Sequence, residues 1–433
     1  MKAAPGAFSF YATPNGVRPS AAIPAESAGA AKGISVAAIL DTGNVKLADT
    51  TMFLKYPYKL ALAPTISASP TIGYTHDSFG SGFYGGTAIL LEDMTGATKM
   101  AFSFAINGRL EDFVLTAAYG YFGTRMPYIF GFSNIPFYYS RGTVFDANTG
   151  LQSTVTTRNL ERSVYATGLY PLNTFNRFEV GLCFVSLNRE NVVYNFNIYT
   201  GQGGRVTSGS NTKNWFEPSL AYVSDNTIQV NYFAPTSGRR YRLQVTPAVG
   251  NFNWINGLGD ARVYFPVIFN KLIIALHGYA SLTTGPDADT LRTYLAYPVA
   301  IWGYDGSNFG VAPSCLTLPN PDRCNPVIGS SALWGNFEIR APIYRGGGGV
   351  VPVPPVELFA FWDAGTAWFT GQTVIFARQS KLDPLYQRGL VTSNGVGVRI
   401  NLFGAAILSW AFVKPYDLYS HPAYLQFSFY APF

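Results

Sequence analysis

The sequence predicts an all-β protein: a transmembrane antiparallel β-barrel of about sixteen strands, with a long extracellular loop folded into the lumen. Three observations predict it. The first is the end of the chain, Tyr424-Leu-Gln-Phe-Ser-Phe-Tyr-Ala-Pro-Phe433. Leu425, Phe427, Phe429, Ala431 and Phe433 fall on one face, and Tyr424, Gln426, Ser428 and Tyr430 on the other. That is the period-two alternation of a strand with one apolar and one polar side. The second is composition. Charged residues make up 12% of the chain and aromatics 16%, where a soluble domain carries roughly 25% charge. A lipid-facing band removes the need to cover that surface with charge. The third is that no stretch approaches the ~18 consecutive apolar residues of a membrane helix. The best, from Phe265 to Ala275, is broken by Pro266, Asn270 and Lys271. A membrane chain without such helices satisfies its backbone groups only in a closed sheet.

The strands follow in order from about residue 59. One is expected within Leu60 to His76. Gly86 to Glu92 turns at Asp93-Met-Thr-Gly-Ala97 into Lys99 to Ile106, which ends at the hairpin signal Asn107-Gly108. Phe113 to Tyr121 and Tyr128 to Tyr139 come next, then a polar loop from Ser140 to Arg158. Ser163 to Leu172 and Phe178 to Leu187 join at Asn173-Thr-Phe-Asn176, and a Gly-rich loop precedes Phe216 to Val223. Arg240 to Ala248, Ala261 to Phe269 and Lys271 to Leu282 lead to a long loop, about 283–329. Ser331 to Ile343, Val356 to Trp368, Val391 to Phe403, Ala406 to Val413 and Tyr424 to Phe433 complete the series. If the C-terminus is periplasmic, the loops at 140–158, 188–212, 249–260 and 283–329 share the outer rim. The turns at 93–97, 173–176 and 270 share the inner one.

Residues 1–58 are Ala/Gly/Pro/Ser-rich and too poor in apolar periodicity for a core. They read as a linker, a plug or the remnant of an upstream periplasmic domain, with the barrel over 59–433. No signal peptide follows Met1-Lys2, so a mature form or a fragment is expected.

Little in the chain suggests catalysis. Net charge is +6 with no basic, aromatic-interleaved cluster, so no nucleic-acid partner is expected. His277, in Lys271-Leu-Ile-Ile-Ala-Leu-His-Gly-Tyr279, alternates against Leu272, Ile274 and Leu276 and should point into the lumen. His76 beside Asp77 and Ser78 is a poor triad signal. Gly346 to Gly349 lacks the Lys-Ser/Thr of a phosphate loop and reads as a turn. Neither enzyme activity nor a metal or cofactor is expected. Cys315 and Cys324 bracket a Pro/Asn/Asp-rich segment and read as a loop disulfide, while Cys183 reads as a buried thiol. Trp334, Trp362, Trp368 and Trp410 read as interfacial girdle residues. Trp254 is a loop aromatic that could stack on carbohydrate.

From Ser224 on, the spacing resembles the barrel domain of the BamA-type outer-membrane assembly superfamily, the bacterial surface antigen family. Ser224-Asp-Asn-Thr227 with Ala234-Pro-Thr-Ser-Gly-Arg239, Asn336-Phe-Glu-Ile-Arg-Ala-Pro342, Phe359-Ala-Phe-Trp-Asp-Ala-Gly365 with Trp368, and Ser393-Asn-Gly-Val-Gly-Val-Arg399 carry the resemblance in order. Asp93-Met-Thr-Gly96 is similar to barrels fused behind TolB-like propellers. The terminal strand, with Leu425, Phe427, Phe429 and Phe433, resembles the sorting signal read by the assembly machinery.

The resemblance implies a bacterial (Gram-negative) outer-membrane location, contact with outer-membrane lipids, the assembly machinery as partner during biogenesis, and periplasmic or outer-membrane protein subunits as further partners. It implies a role in protein insertion or translocation. The alternatives are an anchor or subunit with a plugged lumen, and a passive channel. It also implies a lumenal loop tip at Trp302, Gly303, Tyr304 and Asp305. The family carries an Arg where Trp302 stands, and that Arg pairs with an acidic residue of the wall. Here the implied wall partners are Glu338, Arg340, Asp363 and Arg399, with Arg399 or Arg340 available to neutralise Asp363. The family's POTRA repeats, which recruit clients, have no counterpart in the first 58 residues.

Overall fold

Alternation becomes sheet wherever one side chain in two can leave water, and in this chain it does so almost without interruption. The computed structural model describes residues 58–67, 71–77, 80–108, 110–229, 233–268, 271–295, 300–304, 321–344, 354–402, 406–417 and 422–430. Its strands are β1 (Leu62–Ser67), β2 (Thr71–Asp77), β3 (Gly80–Asp93), β4 (Thr98–Gly108), β5 (Phe113–Tyr121), β6 (Tyr128–Asp146), β7 (Leu151–Pro171), β8 (Asn176–Asn197), β9 (Gly203–Asp225) and β10 (Gly238–Gly250). They continue with β11 (Trp254–Val267), β12 (Leu272–Thr284), the two-residue β13 (Thr293–Tyr294) and β14 (Ile328–Gly329), then β15 (Ser331–Tyr344), β16 (Val356–Trp368), β17 (Thr373–Arg378), β18 (Gln387–Leu402), β19 (Ala406–Pro415) and β20 (Tyr424–Tyr430).

All but β13 and β14 belong to one 18-stranded sheet. β1 and β2 pair with successive halves of β3 and act as one interrupted strand. β17 is a short parallel strip beside β18. Setting these extras aside leaves sixteen strands in an up-and-down antiparallel meander, from β1/β2–β3 to β19–β20. The number and order agree with the sequence reading.

The sheet is inside out relative to a soluble protein. On β8, Phe178, Val180, Leu182 and Phe184 are exposed while Glu179 and Val185 between and beside them are buried. Phe216 and Leu220, Leu243 and Val245, Leu358 and Trp362, and Leu425 and Phe427 continue the exposed apolar belt. Such a belt is stable against lipid and unstable against water. The alternate positions meet the barrel interior, where they form ion pairs, hydrogen bonds and three local apolar clusters.

Six expectations need correction. The segments 140–158 and 188–212 are not loops. β6 and β7 pair to Asp146↔Leu151, and β8 and β9 to Phe196↔Gly203, so the turns there are only 147–150 and 198–202. Their polar sequences hide strand because neither face meets lipid. Likewise 249–260 is a tight turn at 251–253 between β10 and β11. The rim assignment survives, since all these turns still lie on the rim shared with residues 285–330. Trp334 is not a girdle residue: it is buried and stacks on Tyr279 with ring centroids 3.8 Å apart. Trp254 is likewise buried, packed with Trp215 and Phe252, and presents no face to carbohydrate. Cys183 is half-buried rather than buried.

Candidate functional site

The long connection between β12 and β15 brings residues 300–304 against the lumenal wall. Ile301 and Tyr304 have no exposure at all. Their anchorage is built mostly from backbone groups. The Trp302 N–H donates to Asp363 Oδ2 at 3.1 Å, and Asn336 Nδ2 donates both to Asp363 Oδ1 at 2.9 Å and to the Ala300 carbonyl at 2.8 Å. Asn336 and Asp363 are cross-strand partners on β15 and β16. His277, the partner of Asn336 on β12, contacts Asn336 Oδ1 through Nδ1 at 3.0 Å. Its Nε2 lies 3.3 Å from Asp260, which holds Arg262. One row of wall residues thus runs from β11 to the loop.

Gly303 adopts φ +85°, the left-handed region that glycine enters without a Cβ penalty. A Cβ there would lie 2.7 Å from Val413 Cγ1. This tight turn lets Gly303 face the last strand: its N–H donates to Gln426 Oε1 at 2.9 Å, and its carbonyl accepts from the Tyr424 hydroxyl at 3.0 Å. Tyr304 reaches on to the outer end of β18 and β19. Its hydroxyl donates to the Thr392 carbonyl at 2.6 Å and accepts the Tyr416 and Asp417 N–H groups, each at 3.1 Å. Burial pushes the Tyr304 phenol well above its ordinary pKa, keeping it a neutral donor.

Trp302 packs against Phe359 and Phe361, with centroids 5.8 and 5.5 Å away. Those rings lie flat on the wall because Gly395 and Gly397 of the next strand have no Cβ: one would stand 2.7 and 2.6 Å from them. The Arg399 guanidinium stacks over Phe359 at 3.8 Å.

Asp363, Trp302, Gly303 and Tyr304 therefore lie together, joined through the Trp302 N–H and not through its side chain. The two cations do not join Asp363. Arg340 and Arg399 both pair with Glu338, and Arg399 also reaches Glu357 at 3.3 Å. The wall supplies its own cations for its glutamates, and the loop supplies an aromatic. Asp305, Cys315 and Phe433 lie outside the described residues, as do 1–57, Gly346 to Gly349 and the Phe429 side chain. Cys324 is disulfide-bonded.

Sequence reasoning missed Asn336, Gln426, Tyr424, Thr392, Asp417 and Glu357 as anchors. Parity alone could have found Tyr424 and Gln426, since they lie on the polar face of the terminal strand. Asn336 is likewise the strand neighbour of a lumenal Glu338. A further anchor lies above the tip. The fully buried Arg388 donates to the Asn325 and Arg323 carbonyls, at 2.5 and 2.8 Å, and to Gln372 Oε1 at 2.9 Å. It pins the distal part of the plugging loop to the β16–β18 connection.

Comparison with known proteins agrees with this architecture. Residues 88–430 match the model of the Omp85 superfamily domain. Among solved structures, the chain is similar to BamA from Haemophilus ducreyi lacking POTRA domains 1–3, at 14% identity and a TM-score of 0.50, over 86% of this chain and 74% of that one. It is similar to CdiB from Acinetobacter baumannii, at 8% identity and a TM-score of 0.50, over 83% of this chain and 58% of that one. It is also similar to CdiB from Escherichia coli, at 11% identity and a TM-score of 0.50, over 87% of this chain and 67% of that one. No curated protein sequence matches.

Proposed function

Because the chain belongs to the Omp85 superfamily, we propose that it helps insert or pass polypeptides at the outer membrane, through a seam between its first and last strands. The observation that carries the proposal is the contact of the loop tip with β20. Gly303 bonds Gln426 and Tyr424, so the plug touches the last strand of the meander directly. Any motion that draws β20 away from the plug must strain those two bonds, and release of the plug must break them. The other side of the seam is weak. β1 contains Pro64, which lacks an N–H, and its ladder shifts register between Pro64 and Ile66.

The test is a disulfide between cysteines placed in β1/β2 and in β20, assayed for insertion of an unfolded outer-membrane barrel into liposomes. Loss of activity on oxidation, restored by reductant, is expected. Unchanged activity in the oxidised form overturns the seam.

A second reading is favoured by one observation: hydrogen bonds with Asp363, Gln426 and Tyr424 and the buried Ile301 and Tyr304 hold the tip, with a partly buried Trp302 where the family carries an Arg. In that reading the plug stays put, and the barrel anchors a periplasmic partner. Planar-bilayer recordings separate it from a passive channel, since silence supports the anchor and steady open pores the channel.

A further inference from the structure

β7 and β8 have 21 and 22 residues. A tilted membrane strand needs only about 9–11, and at ~3.3 Å per residue these two run ~70 Å. The surplus stands beyond the outer rim. β5 pairs with β6 only over Tyr128–Asn134, and β10 with β9 only over Trp215–Asp225. Past those points β6, β7, β8 and β9 form a free-standing four-stranded sheet. One face of it is closed by the turn at Leu110–Asp112. Arg158 meets Asp112 at 2.6 Å and Glu190 at 2.6 Å, and Arg205 meets Glu111 at 2.7 Å.

A free-standing sheet has two edges, and these two differ. The β6 edge is guarded by Pro136, by a bulge between Ser140 and Gly142, and by Asn134 bonding the Phe113 carbonyl. The β9 edge, residues 203–213, is exposed along almost its whole length and pairs with β8 only. It reads Gly-Gly-Arg-Val-Thr-Ser-Gly-Ser-Asn-Thr-Lys, without proline or carboxylate. A bulge at Gly209, φ +69°, limits the regular part to Gly203–Ser208.

We propose that the Gly203–Ser208 edge of β9 is a docking site for an extended polypeptide segment, added as a fifth strand at the cell surface. The occupant follows from the edge itself. Alternating unpaired N–H and C=O groups match an extended backbone. The small, mostly uncharged side chains beside them set no demand on the partner's sequence, and Arg205 is already held by Glu111. A second copy of this chain does not fit. Copies inserted the same way in one membrane are related by an axis along the membrane normal, which rules out antiparallel pairing of one edge with itself. This inference rests on the reading that polypeptides pass this barrel, and it assigns them a place to land outside.

The test is hydrogen–deuterium exchange on the full chain in detergent, with reduced, carboxymethylated α-lactalbumin as a permanently unfolded probe and folded α-lactalbumin as control. Slowed exchange at 203–208 with the unfolded probe only is expected. Val206 and Thr207 point their N–H groups to opposite sides, so of Val206→Pro and Thr207→Pro one removes an outward donor and the other a β8 ladder donor. The exchange profile of the unmodified protein identifies which is which. The outward one should weaken the probe's effect about three- to tenfold, the worth of one net hydrogen bond, with the β8 amides still protected. Exchange at 203–208 that ignores the probe, or slowing spread evenly over all outer turns, overturns the inference. If that happens while insertion still depends on the seam, only the landing edge fails. If insertion fails and the edge still binds, the seam reading fails instead.

Discussion

Trp302 lies against Phe361 with ring centroids 5.5 Å apart, at the loop position where the family resemblance expects an arginine. The exchange is coherent with the wall beneath. Glu338 and Glu357 are already served by Arg340 and Arg399, while Asp363 is met by two neutral donors, the Trp302 N–H and Asn336 Nδ2. The aromatic instead adds to a platform of Phe359, Phe361, Ala411 and Val413.

Trp302→Ala should therefore loosen the loop tip by removing two aromatic contacts, each worth ~0.5–1.5 kcal/mol beyond area burial. Trp302→Arg loses the same contacts but brings a guanidinium beside Asp363, which neither Arg340 nor Arg399 meets, so it should loosen the tip less than Trp302→Ala. Protease cleavage within 285–330 reads the effect. The unmodified protein should show the same protection at low and high salt, because the carboxylate its tip meets, Asp363, is buried and poorly screened.

Gly303→Ala places a Cβ against Val413 and forces a left-handed residue, at a cost of ~1–2 kcal/mol for the backbone before any clash. Both bonds to β20 should weaken together. The expected result is faster exchange of the Gln426 and Phe427 amides in β20, with β15 and β16 unchanged. Equal protection would mean that the tip and the last strand are not coupled.

Much of this was legible in the sequence, for a physical reason. Phe178 to Phe184 alternates because lipid lies on one side and water on the other, so strand, face and membrane band read from one pattern. The β6–β9 sheet was not legible. At Thr156–Glu161 six successive residues are buried, among them Arg158, Asn159 and Glu161 paired to polar neighbours. No periodicity survives when both faces are covered and polar. The resemblance pointed to a tip at 302–305 but named none of the groups that hold residues 300–304: the N–H of Trp302 and the carbonyl of Ala300 leave no mark in a sequence.

Leu182→Arg tests the lipid band directly. Its side chain is 49% exposed between the equally exposed Val180 and Phe184, and an arginine near the bilayer midplane costs ~2–4 kcal/mol in such a barrel. Folding titrations in liposomes should show that loss. In Ser186→Arg, farther along the same strand toward the outer rim, the loss should shrink toward ~0–1 kcal/mol.

The charge group on the wall permits a full cycle. Arg399 pairs with both Glu338 and Glu357, and Glu357 is completely buried. Arg399→Leu leaves Glu338 with Arg340 but strips Glu357 of the cation at 3.3 Å, and breaking a buried pair from one side costs ~3–5 kcal/mol. Glu357→Gln alone removes a charge while keeping an acceptor, so it should cost less. If the penalty of the first change is the orphaned carboxylate, the double variant recovers much of it, with an interaction energy of ~0.5–3 kcal/mol. Denaturant unfolding of the four proteins in one detergent measures this. Strict additivity would show that Arg399 acts through Glu338 and its stacking on Phe359, and not through Glu357.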